Sequence, residues 1–173
     1  MTKKRFSLIP HHIFHSVTDV TTDYLKQLGI RFLMLDLDNT IAAYDEHVLA
    51  DDISLWIDDV KNSGIVLFLI SNSTRKKRVE SFAHSIGVEF IMQSNKPSPK
   101  SLLRAMDIAG FSPDVSALAG DQIVTDTIAA HRAGVISIIV RPRRFSNPFL
   151  AIRYYVEVPF RAMCKNKNRT EFQ

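Results

Sequence analysis

The stretch RFLMLDLDNT (residues 31–40) decides the fold class, because an apolar run leads directly into two closely spaced carboxylates. The run is apolar on successive residues, which is typical of a strand covered on both faces in a parallel sheet. On an extended backbone the side chains of Asp36 and Asp38 point to the same side. Burying both is costly unless a cation lies between them, and oxygen ligands without Cys or paired His favour Mg²⁺. The stretch therefore predicts a magnesium site at a strand end, with turn or capping acids as the alternative.

Short apolar runs and helical segments alternate along the rest of the chain. The predicted strands are residues 31–37, 65–70, 88–92, 115–119 and 135–140. The predicted helices are residues 22–28, 51–62, 75–86, 98–109 and 122–133, and a glycine follows each within two residues. This alternation, with glycine at the helix exits, predicts an α/β fold with an open, doubly wound parallel sheet in three αβα layers. Functional side chains are then expected beyond the carboxyl ends of the strands.

Length and composition predict a single domain. The chain has 173 residues, of which 46% are hydrophobic and 23% charged, and its lone Cys164 excludes an internal disulfide and a four-cysteine zinc site. We expect a core at about residues 18–141 and a basic, partly amphipathic tail at residues 142–173. No apolar run is long enough to span a bilayer, and the N-terminus is not typical of a signal peptide, so we expect a cytoplasmic protein.

Two further predicted strands end in groups that could bind a phosphate. Ser71 and Asn72 follow the second predicted strand, where a hydroxyl and backbone N–H groups form a phosphate cradle or an ordinary helix cap. Lys96 precedes Pro97 after the third, and its ammonium could neutralise phosphate oxygens. Lys100, one turn later, is the competing lysine, although the Lys-Pro dipeptide favours Lys96.

The fourth strand end is GDQIVTD, residues 120–126. Asp121 could ligate the metal directly. Asp126 could hold Asp121, Lys96 or a metal-bound water in place, or simply stabilise the start of a helix through the helix dipole.

Together these motifs resemble the haloacid dehalogenase (HAD) superfamily of aspartate-nucleophile phosphatases. The order that carries the resemblance is DxDxT, Ser, Lys and GDxxxxD, each after a predicted strand. The sequence is further similar to subfamily IIIA of the YqeG type, which is related to the phosphatidylglycerophosphate phosphatases of mitochondria and plants. The segments that suggest this are SLIPHHIFHSVTDVT, LGIRFLMLDLDNTI, GIVLFLISNS, NKP and GDQIVTD, which cover the chain up to about residue 144.

The resemblance implies a role for each motif residue. Asp36 would be the nucleophile that forms an aspartyl-phosphate, and Asp38 the general acid and base. Mg²⁺ would be held by the carboxylates of Asp36 and Asp121 and by the backbone carbonyl of Asp38. The groups expected to bind the phosphoryl oxygens are Ser71, Asn72 through its backbone, and Lys96. Two supporting groups are implied: Thr40 to order the first loop and Asp126 to support Asp121 and the metal.

The resemblance also bears on the substrate. The segments at residues 40–64 and 73–96 leave no room for a separate cap domain, so we expect an open site that accepts phosphate on a large carrier. Phosphatidylglycerophosphate, hydrolysed to phosphatidylglycerol, is the expected substrate, and a soluble sugar or nucleotide phosphate is the alternative. A different class, an RNA-binding or ribosome-assembly module, stays open because basic and aromatic residues interleave in RRFSNPF and RYYVEVPFR.

The tail favours a peripheral membrane association. Residues 141–173 hold eight Lys or Arg and two Glu, a net charge of +6, whereas residues 1–140 sum to −2. Apolar residues fall on one face at helical spacing: Phe149, Ile152, Val156, Phe160 and Met163. They could form an interfacial helix, or pack against the domain's own sheet. Pro159 is expected to break or kink this helix.

Overall fold

The computed structural model describes residues 7–145, 148–164 and 166–167, and in them one sheet carries helices on both faces. The strands are β1 (His12–Phe14), β2 (Phe32–Leu35), β3 (Val66–Ile70), β4 (Glu89–Ile91), β5 (Ser116–Gly120), β6 (Ile136–Val140) and β7 (Asn166–Lys167). The helices are α1 (Thr22–Gln27), α2 (Asp51–Asn62), α3 (Lys76–Ile86), α4 (Lys100–Ala109), α5 (Ile128–Ala133) and α6 (Pro148–Ala162). A π-helical turn (Ile123–Thr127) leads into α5, and two 3₁₀ turns are Val17–Asp19 and Pro113–Val115.

The sheet places four loops side by side at one edge. The strand order is β4-β3-β2-β5-β6-β1-β7, and every paired strand is parallel. In β2, Leu35 lies opposite Leu69 of β3 and Ala119 of β5, so these three strands end at the same level. Since the strands are parallel, the loops that follow them leave the same edge of the sheet.

Alternate residues of β2 belong to two cores on opposite faces of the sheet. Leu33 and Leu35 lie in a cluster with buried side chains of α1, α2 and α3. Phe32 and Met34 lie in a second cluster, with side chains of α4 and α5. Because both faces are covered, the strand is apolar at every position, which confirms the three-layer α/β prediction.

The elements differ from the sequence prediction mainly at their ends. Four of the five predicted strands are present in shortened form, and the one predicted at residues 115–119 is shifted by one residue to Ser116–Gly120. The sheet also includes His12–Phe14, which pairs with β6 and precedes the expected core start at residue 18. A three-residue strand is too short to give a periodic signal. The helix predicted at residues 122–133 begins instead with the π-helical turn. The expected break at Pro159 is wrong, because α6 continues through it.

No cap domain is inserted after β2 or between β3 and β4. Residues 41–50 form a loop before α2, and residues 71–88 hold only α3 and its flanking turns. Both insertion points lie within the continuously described stretch 7–145, so the predicted cap-free fold is confirmed. Within the described residues, the structure contains no helix long and apolar enough to cross a membrane.

Candidate active site

The loop after β2 holds two nearly buried carboxylates, of which Asp36 is 5% and Asp38 is 8% exposed. The backbone N–H of Asp36 donates to the carbonyl of Ala119 (2.8 Å), which continues the pairing of β2 with β5. The next turn is closed by Asn39, whose φ of 63° is left-handed, a region that Asn tolerates better than most residues. The hydroxyl of Thr40 then donates to Oδ2 of Asp36 (3.3 Å), which links the two ends of this loop.

Lys96 connects the first loop to the fourth. Its Nζ donates to Oδ1 of Asp36 at 2.6 Å and lies 2.7 Å from Oδ1 of Asp126. It also donates to the carbonyl of Ile70 (3.2 Å). Lys100 is exposed at the start of α4, so the structure places Lys96, and not Lys100, among the acids.

The loop after β3 holds Lys96 in place. The side chain of Asn72 donates to the carbonyl of Lys96 (3.1 Å) and accepts from its N–H (2.9 Å) and from the hydroxyl of Ser94 (2.6 Å). The side chain of Asn72 is therefore used in hydrogen bonds to the neighbouring loop, and its backbone N–H is the group that could bind a phosphate. Ser71 is buried, and its hydroxyl accepts from the N–H of Ser73 (3.0 Å), so its proton remains free to be donated.

The side chain of Asp126 packs closely against the backbone of Gly120, next to Asp121. A Cβ added at Gly120 would lie 2.8 Å from the Cβ of Asp126, closer than real Cβ atoms approach. Asp126 also accepts from the N–H of Gln122 (3.0 Å), which fixes its carboxylate over the strand end. The π-helical turn brings Asp126 to this position, and such turns are common at functional sites. Glycine is required at position 120 because any side chain would displace Asp126.

Asp121 is a buried carboxylate that lacks hydrogen bonds. It is 1% exposed, and within the described part of the chain neither of its side-chain oxygens accepts a hydrogen bond. A guanidinium nitrogen of Arg153 lies 3.6 Å from its Oδ2. Such a group is costly in a folded protein unless another cation satisfies it.

Burial and the charges of neighbouring carboxylates raise the pKa values of Asp36 and Asp121. Burial raises the pKa of Asp36 to about 7, with Lys96 opposing the shift and Asp126 adding to it. Burial, then the charges of Asp36 and Asp126, raise the pKa of Asp121 well above its usual range. For Lys96, burial lowers the pKa but the carboxylates of Asp126 and Asp36 outweigh it, so its pKa is raised and it stays protonated. The ammonium of Lys96 and the guanidinium of Arg153 thus face three buried carboxylates.

This arrangement fits a hard divalent cation. A cation bound between Asp36 and Asp121 would satisfy the open oxygens of Asp121 and offset the excess negative charge. Among the described residues no three carboxylate, imidazole or thiol side chains could hold a metal ion together, so the side-chain ligands would number two. Backbone carbonyl, substrate and water oxygens would complete the shell, which is normal for Mg²⁺ and not for zinc.

Sequence reasoning missed the partner of Asp38. Arg78, on α3, is nearly buried, and its Nη1 lies 2.9 Å from Oδ1 of Asp38. Its other terminal nitrogen donates to the carbonyl of Ala43 (2.6 Å). Burial raises the pKa of Asp38, while Arg78 and then Arg75 oppose the rise. The available signal was the four-residue spacing of Arg78 and the buried Phe82, which puts both on the inward face of α3.

The C-terminal helix also reaches the site, which the sequence did not indicate. A terminal nitrogen of Arg161, on α6, donates to the backbone carbonyl of Asp121 (2.6 Å). The arrangement as a whole presents a carboxylate paired with an ammonium, and a second carboxylate beside a guanidinium, at the same strand ends. These are the groups that a transfer of a phosphoryl group to a carboxylate needs.

Comparison with known proteins gives consistent results. A family model described as haloacid dehalogenase-like hydrolase matches residues 9–134. The chain is 28% identical over 173 residues to the "Probable phosphatase YqeG" of Bacillus subtilis (strain 168), covering 100% of this chain and 98% of that protein.

Two solved structures show the same fold. One is the cobalt-bound deoxy-D-mannose-octulosonate 8-phosphate phosphatase of Haemophilus influenzae (TM-score 0.55, 17% identity, 74% of this chain and 77% of that chain). The other is the 3-deoxy-D-manno-octulosonate 8-phosphate phosphatase of Moraxella catarrhalis with magnesium, phosphate and KDO (TM-score 0.52, 16% identity, 81% of this chain and 93% of that chain).

Proposed function

Because the chain belongs to the haloacid dehalogenase-like hydrolases, we propose that it is a Mg²⁺-dependent phosphatase that cleaves a phosphomonoester through an aspartyl-phosphate. The observation that carries the proposal is the position of Lys96 between Asp36 and Asp126, beside the buried carboxylate of Asp121, which accepts no hydrogen bond from the described residues. The relative named as a probable phosphatase, which the chain matches from end to end, supports the same reaction class.

In this mechanism Asp36 attacks the phosphorus atom and Asp38 protonates the leaving oxygen. The same Asp38 then takes a proton from the water that hydrolyses the aspartyl-phosphate. Arg78 holds the Asp38 carboxylate in one orientation through both steps. Mg²⁺ would be held by the carboxylates of Asp36 and Asp121 and the backbone carbonyl of Asp38, and its positive charge would offset the repulsion between nucleophile and phosphate.

The remaining groups bind and position the phosphoryl group. Lys96 and the hydroxyl of Ser71 bind its oxygens, together with the backbone N–H of Asn72. Asp126 orients the ammonium of Lys96, and Thr40 fixes the second oxygen of Asp36. Lys96 also favours the ionised form of Asp36, because its positive charge opposes the rise in pKa that burial causes.

For the substrate we propose a phosphate on a large carrier, most specifically phosphatidylglycerophosphate. The support is the absence of a cap domain, because residues 41–50 form a loop before α2 and residues 71–88 hold only α3 and its flanking turns. Between residues 40 and 100 the chain therefore has no separate domain that would enclose a small soluble substrate. The subfamily resemblance of the sequence points to the same lipid phosphate.

Replacement of Asp36 tests the reaction. We expect Asp36→Asn to lower phosphate release from a generic aryl phosphate at least about 10³-fold, because the amide cannot act as the nucleophile. The matched control is Asp58→Asn, at an exposed position of α2, which should keep full turnover. Chelation of divalent cations should abolish turnover and Mg²⁺ should restore it. Wild-type turnover in Asp36→Asn would refute the mechanism.

A substrate panel separates the lipid from soluble alternatives. Phosphatidylglycerophosphate in vesicles should give phosphatidylglycerol at a higher kcat/KM than sugar phosphates or nucleotides. If only soluble esters turn over, the lipid assignment is wrong while the reaction stands. If structured RNA binds the wild type and Asp36→Asn equally well in a gel shift and no ester is cleaved, the chain acts as a binding module.

A further inference from the structure

Helix α6 turns its polar face toward the protein. Glu157 is 2% exposed and Arg161 is 5% exposed. The carboxylate of Glu157 accepts from the N–H groups of Ile123 (3.0 Å) and Val124 (3.3 Å), which begin the π-helical turn. These two donors would otherwise have no partner at a buried helix start. The polar stripe of α6 is therefore a structural surface of the domain.

Arginine contacts fix the rotation of α6 about its own axis. Arg161 donates to the carbonyls of Asp121 (2.6 Å) and Val140 (3.2 Å), and Arg153 lies 3.6 Å from the Asp121 carboxylate. Turning the helix to bury its other face would break these contacts and those of Glu157. The exposure of the other face is thus a consequence of specific bonds, not of loose packing.

The outward face of α6 is apolar. Five large side chains are exposed by 71, 62, 71, 65 and 60%, respectively: Phe149, Ile152, Tyr155, Val156 and Met163. The expectation that the apolar stripe packs on the domain's own sheet is therefore wrong for all its members except the half-buried Phe160. A contiguous apolar patch of this kind on a monomer marks an interaction surface.

A basic loop adjoins this apolar face. Phe145 packs edge-on against Tyr154 of α6 with 5.2 Å between ring centroids, and the Arg141 guanidinium lies 6.0 Å from the Phe145 ring. Arg141 is exposed and places a positive charge beside the patch, whereas the exposed Arg144 is ion-paired with Asp45 (2.6 Å). By sequence the segment from residue 141 onward carries a net charge of +6.

The same loop borders the catalytic loop. A cavity of about 490 Å³ is lined by Thr40 and by residues 141–145, together with His15, Ser16 and Val17. Thr40 is the residue that donates to the nucleophile Asp36. A surface that contacts α6 and this loop would thus lie next to the site where the phosphoryl group is transferred.

We propose that the outward face of α6 and the basic loop of residues 141–145 dock on the surface of an anionic bilayer. Apolar side chains flanked by arginines complement a layer of acyl chains under negative headgroups. A second copy of the chain is a poorer occupant, because pairing the face with itself would bring like charges together. The inference rests on the proposed function only in naming where that site would meet a lipid substrate.

Vesicle sedimentation with the full chain tests the docking surface. We expect binding to vesicles of phosphatidylcholine and phosphatidylglycerol, weaker binding at high salt and little to phosphatidylcholine alone. The variant Phe149→Ser/Val156→Ser should bind at least about tenfold more weakly, since two apolar side chains no longer leave water. The matched control is Val48→Ser/Leu55→Ser, at positions 78% and 67% exposed away from α6, which should bind like the wild type.

Three results would overturn the proposal. They are no vesicle binding by the wild type, equal loss in both double variants, or a concentration-dependent dimer that only Phe149→Ser/Val156→Ser abolishes. Turnover of a soluble aryl phosphate, measured on the same proteins, should stay unchanged in both double variants. A failure of docking therefore differs from a failure of the phosphatase proposal, because the first changes vesicle binding alone and the second changes turnover alone.

Discussion

Substitution of Gly120 by Ala tests the close contact on which the strand-end geometry depends. The added methyl carbon would lie 2.8 Å from the Cβ of Asp126 and closer still to its carboxylate. Ordinary carbon contacts begin at about 3.5 Å, so Asp126 must move by roughly 1 Å. The carboxylate then cannot keep both its 2.7 Å ion pair with Lys96 and its 3.0 Å bond from Gln122.

The expected cost follows from these two changes. Overpacking of a dense core costs about 1–3 kcal/mol, and weakening a buried ion pair adds to it, so the free energy of unfolding should fall by about 2–4 kcal/mol. Turnover should fall about 10²-fold, because a displacement of about 1 Å in a positioning group has that effect on the reacting geometry. Urea denaturation measures the first quantity, and phosphate release from an aryl phosphate under saturating Mg²⁺ measures the second.

A double variant separates the clash from a general effect of alanine at this position. In an Asp126→Gly background the opposing side chain is gone, so Gly120→Ala should cost less than about 1 kcal/mol. The same cost in both backgrounds would refute the clash as the cause. Wild-type stability and turnover in Gly120→Ala would refute the close approach of Asp126 itself.

Three other substitutions test the supporting contacts. Arg78→Met should lower the free energy of unfolding by about 3 kcal/mol and reduce kcat, since Asp38 stays buried without its partner; urea titration and kinetics should show partial recovery in Arg78→Lys. Glu157→Ala removes the acceptor of two N–H groups and should cost about 1–3 kcal/mol in urea denaturation, whereas Glu80→Ala, in an exposed helix pair, should stay within about 0.5 kcal/mol. Burial and nearby histidines lower the pKa of His11 to about 4, so the unfolded chain binds a proton first and stability should fall by roughly 1 kcal/mol as the pH drops from about 6.5 to 4; His11→Asn should remove that part of the pH dependence in urea midpoints.

The strand ends could be predicted because polarity changes abruptly there. In residues 31–40 an apolar run stops at Asp36, and the same change occurs at Ser71 and Asp121. A parallel sheet then brings these positions together without further information. Their side chains are buried in the structure, and Asp36 forms an ion pair with Lys96.

The hydrogen bonds and ion pairs that individual side chains make inside the site could not be predicted, because they join residues that are distant in sequence. The amide of Asn72 is used to hold the backbone of Lys96, which is 24 residues away. Arg78 is the fourth residue of RKKR, a cluster that a sequence cannot divide into solvated and buried charges. Only the packing of α3 against the first loop selects Arg78 for Asp38.

Helix α6 shows that an amphipathic sequence pattern is compatible with burial of either face of the helix. Periodicity separates an apolar face from a stripe containing Glu157 and Arg161, but it does not say which face is buried. Backbone groups of the domain determine which face of α6 is buried, because they need hydrogen-bond partners. The N–H groups of Ile123 and Val124 need an acceptor, and the carbonyl of Asp121 needs a donor. Since only the polar stripe meets that demand, the helix binds polar face inward and its apolar face remains outside. The bond from Arg161 also attaches α6 to Asp121. A surface that binds the outer face of the helix would therefore contact an element that positions a residue of the proposed active site.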